Sequence, residues 1–293
     1  MLQYKEYYMP QSKEELFRFI ENIDRSYHII SGGTDLFAKE KSALKGVELA
    51  IDISNIDAFS TVTVEQDRIT FGANTKIQQF LQIPELMENE PMLRHAACYF
   101  ADQQIREIAT VGGNLANSSP SGDMIPPLLA LDASVHTVMK KEGVLQEKEI
   151  PTAEFIQGVG KNMLAQGEII SAVSCPILKG WGCAFKKVGL RRSLCISTVN
   201  SAFLVKTDPA GRRFEDVRIA FGGIAPVPQR LKKIEDALRG SLISKDIIQK
   251  MIEYIPSDVV KSRSRKEYRN TVVKNFVLAG LYESLAELGV VPE

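Results

Sequence analysis

The chain holds 293 residues, 44% of them hydrophobic and 25% charged, with 36 basic against 36 acidic side chains and a formal net charge of zero. That length and composition suit a globular protein of two or three subdomains sharing one ligand, and they exclude a disordered chain. The balanced charge excludes counterion-driven nucleic-acid binding, and no apolar run reaches the length of a membrane span.

In chain order, Met1-Leu2-Gln3-Tyr4-Lys5 lacks the basic-then-apolar layout of a signal peptide, so a cytoplasmic protein is expected. Ser12-Lys13-Glu14-Glu15 reads as a capping box, with Leu16, Phe19, Ile20 and Ile23 following at helical spacing. Tyr27 to Ile30 is a short apolar strand that runs into Ser31-Gly32-Gly33-Thr34-Asp35, a turn opening a second helix from about Leu36. Val47 to Ile53 reads as another strand, so residues 1–58 form a small β-α-β unit with an extra helix.

From Ser60 the pattern changes. Thr61 to Val64 and Arg68 to Phe71, joined by Gln66-Asp67, predict an antiparallel hairpin. Helices are expected at Ile77–Leu81 and Pro91–Phe100, then a glycine-rich loop over Thr110–Asp123 and a short helix through Leu131. Val135–Lys140 and Glu168–Ser174 are strand candidates, the second stopped by Pro176. Lys179-Gly180-Trp181-Gly182 marks a boundary, so residues 59–178 form a second subdomain and 179–293 a C-terminal domain. There, Ala184–Val188, Val199–Lys206 and Val217–Phe221 predict strands, and the last stretch is helical. Tyr268, Val272 and Phe276 form one apolar stripe, and Val273, Val277, Leu281 and Leu285 its neighbour, which core packing explains by default. The basic run from Lys261 to Arg269 reads as a solvated helix start.

Cys98, Cys175, Cys183 and Cys195 form no C-x-x-C pair, and His28, His95 and His136 show no metal-ligand spacing. No zinc or iron–sulfur site is therefore expected within this chain, and the cysteines read as small buried hydrophobes.

Two glycine loops carry the functional signal. In Ile29-Ile30-Ser31-Gly32-Gly33-Thr34-Asp35-Leu36, paired glycines between a strand and a helix turn backbone N–H groups into one concavity, an anion nest. Thr34 can donate to a phosphate oxygen and Asp35 can cap the helix, although a Gly-Gly turn is also an ordinary tight turn. The second loop, Thr110-Val111-Gly112-Gly113-Asn114 onward to Asp123, is dense in small and hydrogen-bonding residues, as ordered functional loops are. Asp123 suits a sugar or ribityl hydroxyl. Two such loops fit a dinucleotide better than a mononucleotide. Neither is G-x-G-x-x-G nor a P-loop, which argues against a Rossmann site and an NTPase.

Ser31-Gly32-Gly33-Thr34-Asp35-Leu36 and Ile105-Arg106-Glu107-Ile108-Ala109-Thr110-Val111-Gly112-Gly113-Asn114 resemble the two FAD-pyrophosphate loops of the flavoprotein subunits of molybdenum hydroxylases. The likeness continues through Ser119-Pro120-Ser121-Gly122-Asp123, Phe185-Lys186-Lys187 to Arg191-Arg192, Ala220 to Pro226, and Ser264 to Arg269. It implies an α+β fold of the PCMH type, with two α/β FAD-binding subdomains and a C-terminal α+β domain of a small antiparallel sheet and helices.

By position, the resemblance implies that Ile29 to Leu36 and Thr110 to Asn114 wrap the FAD diphosphate through backbone amides. It further implies that Phe100 packs on the cofactor, Asp123 holds a cofactor hydroxyl, Ile170 gives an apolar contact beside it, and Lys186 places a positive charge near the flavin. Phe100 also reads as plain core, and Lys186 as solvent-facing. The implied complex pairs this chain with a large molybdenum-cofactor subunit and a small subunit carrying 2Fe–2S clusters. Electrons would pass through FAD to NAD. The C-terminal half looks closest to bacterial xanthine dehydrogenase, which points to purines. No inserted cysteine loop of the benzoyl-CoA reductase branch is present. The alternative is a stand-alone flavin-dependent oxidoreductase of the same superfamily, against which the C-terminal motifs argue. No histidine lies in the first loop to anchor flavin covalently.

Overall fold

The computed structural model describes residues 4–38, 46–191 and 195–293. Met1 to Gln3 and Arg192 therefore lie outside the described residues. So does most of the helix expected from Leu36, of which residues 34–38 form turns. Among the described residues, no helix is long and apolar enough to cross a membrane.

The first unit contains β1 (Glu6–Tyr8), α1 (Lys13–Glu21), β2 (Tyr27–Ile30) and β3 (Leu49–Asp52). Its strands are parallel in the order β1-β3-β2. The apolar face of α1, with Leu16 and Phe17 fully buried, covers a core shared with Leu49, Ile51, Ile56 and Phe59. Half of the expected capping box forms: Ser12 Oγ accepts the Glu15 N–H at 3.1 Å. The Glu15 carboxylate is instead taken by the Gln11 N–H and the Tyr8 hydroxyl, both at 2.8 Å.

The second unit is a five-stranded antiparallel sheet in the order β4-β5-β10-β6-β7. Its strands are β4 (Val62–Val64), β5 (Arg68–Gly72), β6 (Ser134–Lys141), β7 (Val144–Pro151) and β10 (Ile169–Pro176). The hairpin over residues 61–71 forms as its sequence predicts, with Val62 opposite Phe71. β7 was not expected, because its Gln-Glu-Lys-Glu run is an exposed edge without apolar alternation. Between β5 and β6 run α2 (Pro84–Asn89), α3 (Pro91–Tyr99), α4 (Gln103–Arg106), α5 (Val111–Asn117) and α6 (Ile125–Ala130); α7 (Thr152–Phe155), β8 (Ile156–Gly158) and β9 (Lys161–Asn162) lie between β7 and β10. The stretch expected as a glycine loop is thus helical over its first half. Thr110 caps α5 by accepting the Gly113 N–H at 3.1 Å, and packing in the core offsets the low helix propensity of the glycine pair.

The C-terminal sheet runs β11 (Gly182–Gly189), β12 (Ser197–Thr207), β13 (Phe214–Gly222) and β14 (Gln229–Arg230), all antiparallel. α8 (Lys232–Leu238), α9 (Lys245–Lys250) and α10 (Lys266–Glu287) follow. One sheet face packs on the second unit through Cys183, Phe185, Ala202 and Leu204, and the other packs under α10 through Ala184, Phe203 and Val205. Val272, Val273, Val277, Leu281 and Leu285 are buried in that second core, as the stripe predicts, while Tyr268 is exposed. Gly280 sets the approach, since a Cβ there would lie 2.2 Å from the Phe203 ring.

One core carboxyl lacks any partner. Glu90 is fully buried, and neither side-chain oxygen finds a hydrogen bond among the described residues. Burial pushes its pKa well above the usual carboxylate range. Between the two values the folded chain holds a proton that the unfolded chain has lost. Stability conferred by the protonated side chain is therefore present at low pH and declines as pH rises from the ordinary carboxylate range towards the folded pKa. The slope is about 1.4 kcal/mol per pH unit. Glu90→Leu is expected to raise stability at neutral pH and to flatten that slope. Urea unfolding of both chains across pH 4 to 8 measures it, and parallel curves would refute it.

Candidate functional site

The first loop leaves the carboxyl end of β2, the side on which open α/β sheets bind ligands. Gly33 has φ +68°, a conformation that glycine adopts without strain, and the Gly33 carbonyl accepts the Phe37 N–H at 2.9 Å. The second loop is pinned to the end of β5. The Val111 N–H donates to the Thr75 carbonyl at 3.0 Å and the Gly112 N–H to the Ala73 carbonyl at 2.9 Å.

The two loops touch directly. A Cβ on Gly32 would lie 2.2 Å from the Ile108 carbonyl oxygen, so only glycine allows this approach. The Ser31 hydroxyl donates to Asn74 Oδ1 at 2.8 Å and lies 3.2 Å from Thr110 Oγ1. Asn74, buried itself, donates to the Ile53 carbonyl at 2.7 Å and so fastens the loop pair to the end of β3. Sequence reasoning missed Asn74. Its only signal is a polar residue placed between a strand of buried alternation and an apolar turn.

Between the loops opens a cavity of about 570 Å³, within the roughly 300–1,000 Å³ of ligand pockets. Its walls are residues 28–36 on one side and Ala109, Thr110, Gly113, Asn114, Ala116 and Asn117 on the other, with Phe100 and Gly160 completing it. Phe100 sits just past the end of α3, half-buried, rather than within the helix. His28, Ala109, Ala116 and Gly160 were not expected at the cofactor, whereas Asn117 reads from the sequence as one of the hydrogen-bonding residues of the second loop. His28 Nδ1 lies 2.8 Å from the Tyr4 hydroxyl.

The wall chemistry suits a diphosphate. The N–H groups of Gly32, Gly33, Thr34 and Asp35 donate to no described residue. Asn114 belongs to the opposite wall, with its Oδ1 buried beside Gly122. Backbone N–H groups left without protein partners beside a cavity are free to donate to an anion such as a diphosphate.

The second loop contributes differently from expectation. The amides of Val111 and Gly112 are bonded to the β5 segment, that of Gly113 to the Thr110 hydroxyl, and that of Asn114 to the Thr110 carbonyl. It offers side chains and close approach, not a row of free donors. Val111 and Gly112 stand behind the wall, Val111 in the core and Gly112 against Ala73.

Three expected contacts fall outside the cavity. Ile170 is a core residue of β10. Asp123 is buried, and its carboxylate accepts from Lys187 Nζ at 2.6 Å, Asn200 Nδ2 at 2.7 Å and Ser197 Oγ at 2.5 Å, which ties the second unit to the C-terminal sheet. Lys186 points to the opposite face of β11 and pairs with Glu283 of α10 at 2.5 Å. The cation facing the second unit is its neighbour Lys187, which also donates to the Tyr99 carbonyl at 3.0 Å. Strand alternation sends the two neighbouring lysines to opposite faces of the sheet.

A parallel three-stranded unit and an antiparallel sheet, holding between them a cavity floored by unpaired amides, define a dinucleotide-binding protein of the flavoprotein type. The chain belongs to the family of the FAD binding domain in molybdopterin dehydrogenase, whose model matches residues 2–178; a CO dehydrogenase flavoprotein C-terminal domain matches residues 184–284. It is similar to the glyceraldehyde dehydrogenase medium chain of Sulfolobus acidocaldarius, with 24% identity over 94% of this chain and 97% of the relative. It is 28% identical to a putative xanthine dehydrogenase FAD-binding subunit of Escherichia coli over 89% of each. The fold matches the carbon monoxide dehydrogenase structure from Hydrogenophaga pseudoflava with a TM-score of 0.87 and 23% identity, over 98% of this chain and 99% of that one. The chain is therefore an FAD-binding flavoprotein subunit of an oxidoreductase in the molybdenum hydroxylase family.

Proposed function

We propose that this chain passes electrons from the 2Fe–2S clusters of a small partner subunit to NAD, while a large subunit carries the molybdenum cofactor and hydroxylates the organic substrate. The observation that carries the reading is the run of amides at Gly32 to Asp35, without protein partners among the described residues, on the wall of the cavity they share with the second loop. FAD, when bound, supplies the conversion between single electrons and a two-electron hydride. The chain's own residues bind and orient. The amides of the first loop would hold the diphosphate, Asn114 would hydrogen-bond the cofactor, and Phe100 would give an aromatic wall for a ring. Hydride transfer requires no acid or base from the protein.

Residues 1–58 and 59–178 would serve as the two cofactor lobes and 179–293 as the flavoprotein C-terminal domain, working in the cytoplasm. The similarity to a xanthine dehydrogenase subunit supports a purine as the substrate of the large subunit, and glyceraldehyde is the competitor that another relative's name suggests.

The purified chain is expected to be yellow and to release FAD on heating, identified by mass. A colourless chain that takes up no added FAD would overturn the cofactor assignment. Anaerobic NADH should bleach the bound flavin; a flavin reduced by dithionite but inert to NADH would remove NAD as acceptor and leave FAD binding intact.

A further inference from the structure

We propose that His95, Cys183 and Glu287 form a binding site for one zinc-class divalent ion that ties the second unit to the C-terminal domain. The three come from α3, the start of β11 and the last residue of α10. Their ligand atoms all lie within 4.8 Å of one another. Cys183 Sγ is 3.7 Å from His95 Nδ1. That separation matches the edge of about 3.6 Å required when metal–sulfur and metal–nitrogen bonds of about 2.3 and 2.0–2.1 Å meet tetrahedrally. A thiolate, an imidazole and a carboxylate suit zinc, not magnesium or calcium, which take oxygen ligands. Three protein ligands leave a fourth position for water, and His95 and Glu287 are each about a third exposed, so solvent reaches the site.

Two further features belong to it. Glu287 Oε2 accepts the Cys183 N–H at 2.8 Å, while Oε1 lies 3.2 Å from His95 Nε2, the ring nitrogen opposite the one that faces Cys183 Sγ, so the carboxylate must turn towards Nδ1 for all three to share one ion. Glu90, fully buried with both oxygens unpartnered among the described residues, lines a small cavity together with Cys183. The arrangement is unlike an activated nucleophile. Cys183 is buried beside the Glu287 carboxylate, and a thiol of ordinary acidity keeps its proton at neutral pH without metal. Binding then exchanges that proton for the metal: the S–H bond breaks, a sulfur–metal bond forms, and the proton leaves to the buffer.

The test uses the full FAD-loaded chain with zinc chloride at neutral pH, desalted and analysed for metal. One zinc per chain is expected, with about one proton released in calorimetry in two buffers. X-ray absorption should show one sulfur at about 2.3 Å among nitrogen and oxygen scatterers. Cys183→Ala and His95→Ala should weaken binding about a hundredfold or more, and Cys98→Ala should leave it unchanged. FAD content and thermal midpoint report whether each variant folds, and the proton and sulfur readouts need no variant. Failure to retain zinc, zinc bound without sulfur, or full binding by a folded Cys183→Ala chain overturns the proposal.

Discussion

Replacing Lys187 by methionine is expected to destabilise the chain by about 3–5 kcal/mol, the cost of leaving a buried carboxylate without its charged partner. Lys187 and Asp123 are the buried ion pair of the interface between the second unit and the C-terminal sheet, with side chains only 6% and 9% exposed. Ser197 and Asn200 would still donate to Asp123, so two hydrogen bonds remain but the charge is unbalanced. Asp123→Asn combined with Lys187→Met should recover much of the loss, because it removes the charge instead of stranding it. Lys186→Met is the control. Its pair with Glu283 is half solvated and should contribute about 0–1 kcal/mol. Urea unfolding of the four chains decides the matter, and equal losses at 186 and 187 would contradict the face assignment. Because Lys187 also holds the Tyr99 carbonyl next to Phe100, its loss should weaken FAD binding as well, which Lys186→Met should not.

Gly32→Ala is expected to reduce FAD affinity by about ten- to a hundredfold. The added Cβ meets backbone on the facing loop, at 2.2 Å from the Ile108 carbonyl oxygen and 2.9 Å from its carbon. Neither atom belongs to a side chain that could rotate away, so the loops must part. Such overpacking costs about 1–3 kcal/mol, and each 1.4 kcal/mol that falls on the bound state is tenfold in affinity. Gly113→Ala meets only the Thr110 hydroxyl, at 2.9 Å, and should cost less. Fluorescence titration of the apoproteins with FAD measures both. Gly32→Ala binding within threefold of the parent would show that loop contact does not shape the cavity.

The two loops that line the cavity are legible in the sequence, because their signals are local. A strand running into Gly32-Gly33 and a threonine ahead of Gly112-Gly113 announce tight backbone wherever they occur. The helix in the second loop was not legible, since a glycine pair argues against helix and only packing around Val111 and Leu115 overrides it. The edge strand β7 was hidden for the opposite reason: it is paired through its backbone yet shows no buried face.

The two glycine loops, the hairpin over residues 61–71 and the stripes of α10 can be read along the chain, since each depends on the spacing of neighbours. Docking of the sheet is what turns Lys187, not Lys186, towards the second unit. β11 is buried on both faces over its first half, so alternation there carries no phase until the sheet is docked. Docking likewise decides that Cys183 meets His95 across 88 residues and Glu287 across 104, a convergence that no spacing rule for metal ligands covers. Local patterns set the backbone, but which side chains share a site depends on how separate elements pack, and that is settled by the summed burial of cores far apart in the chain.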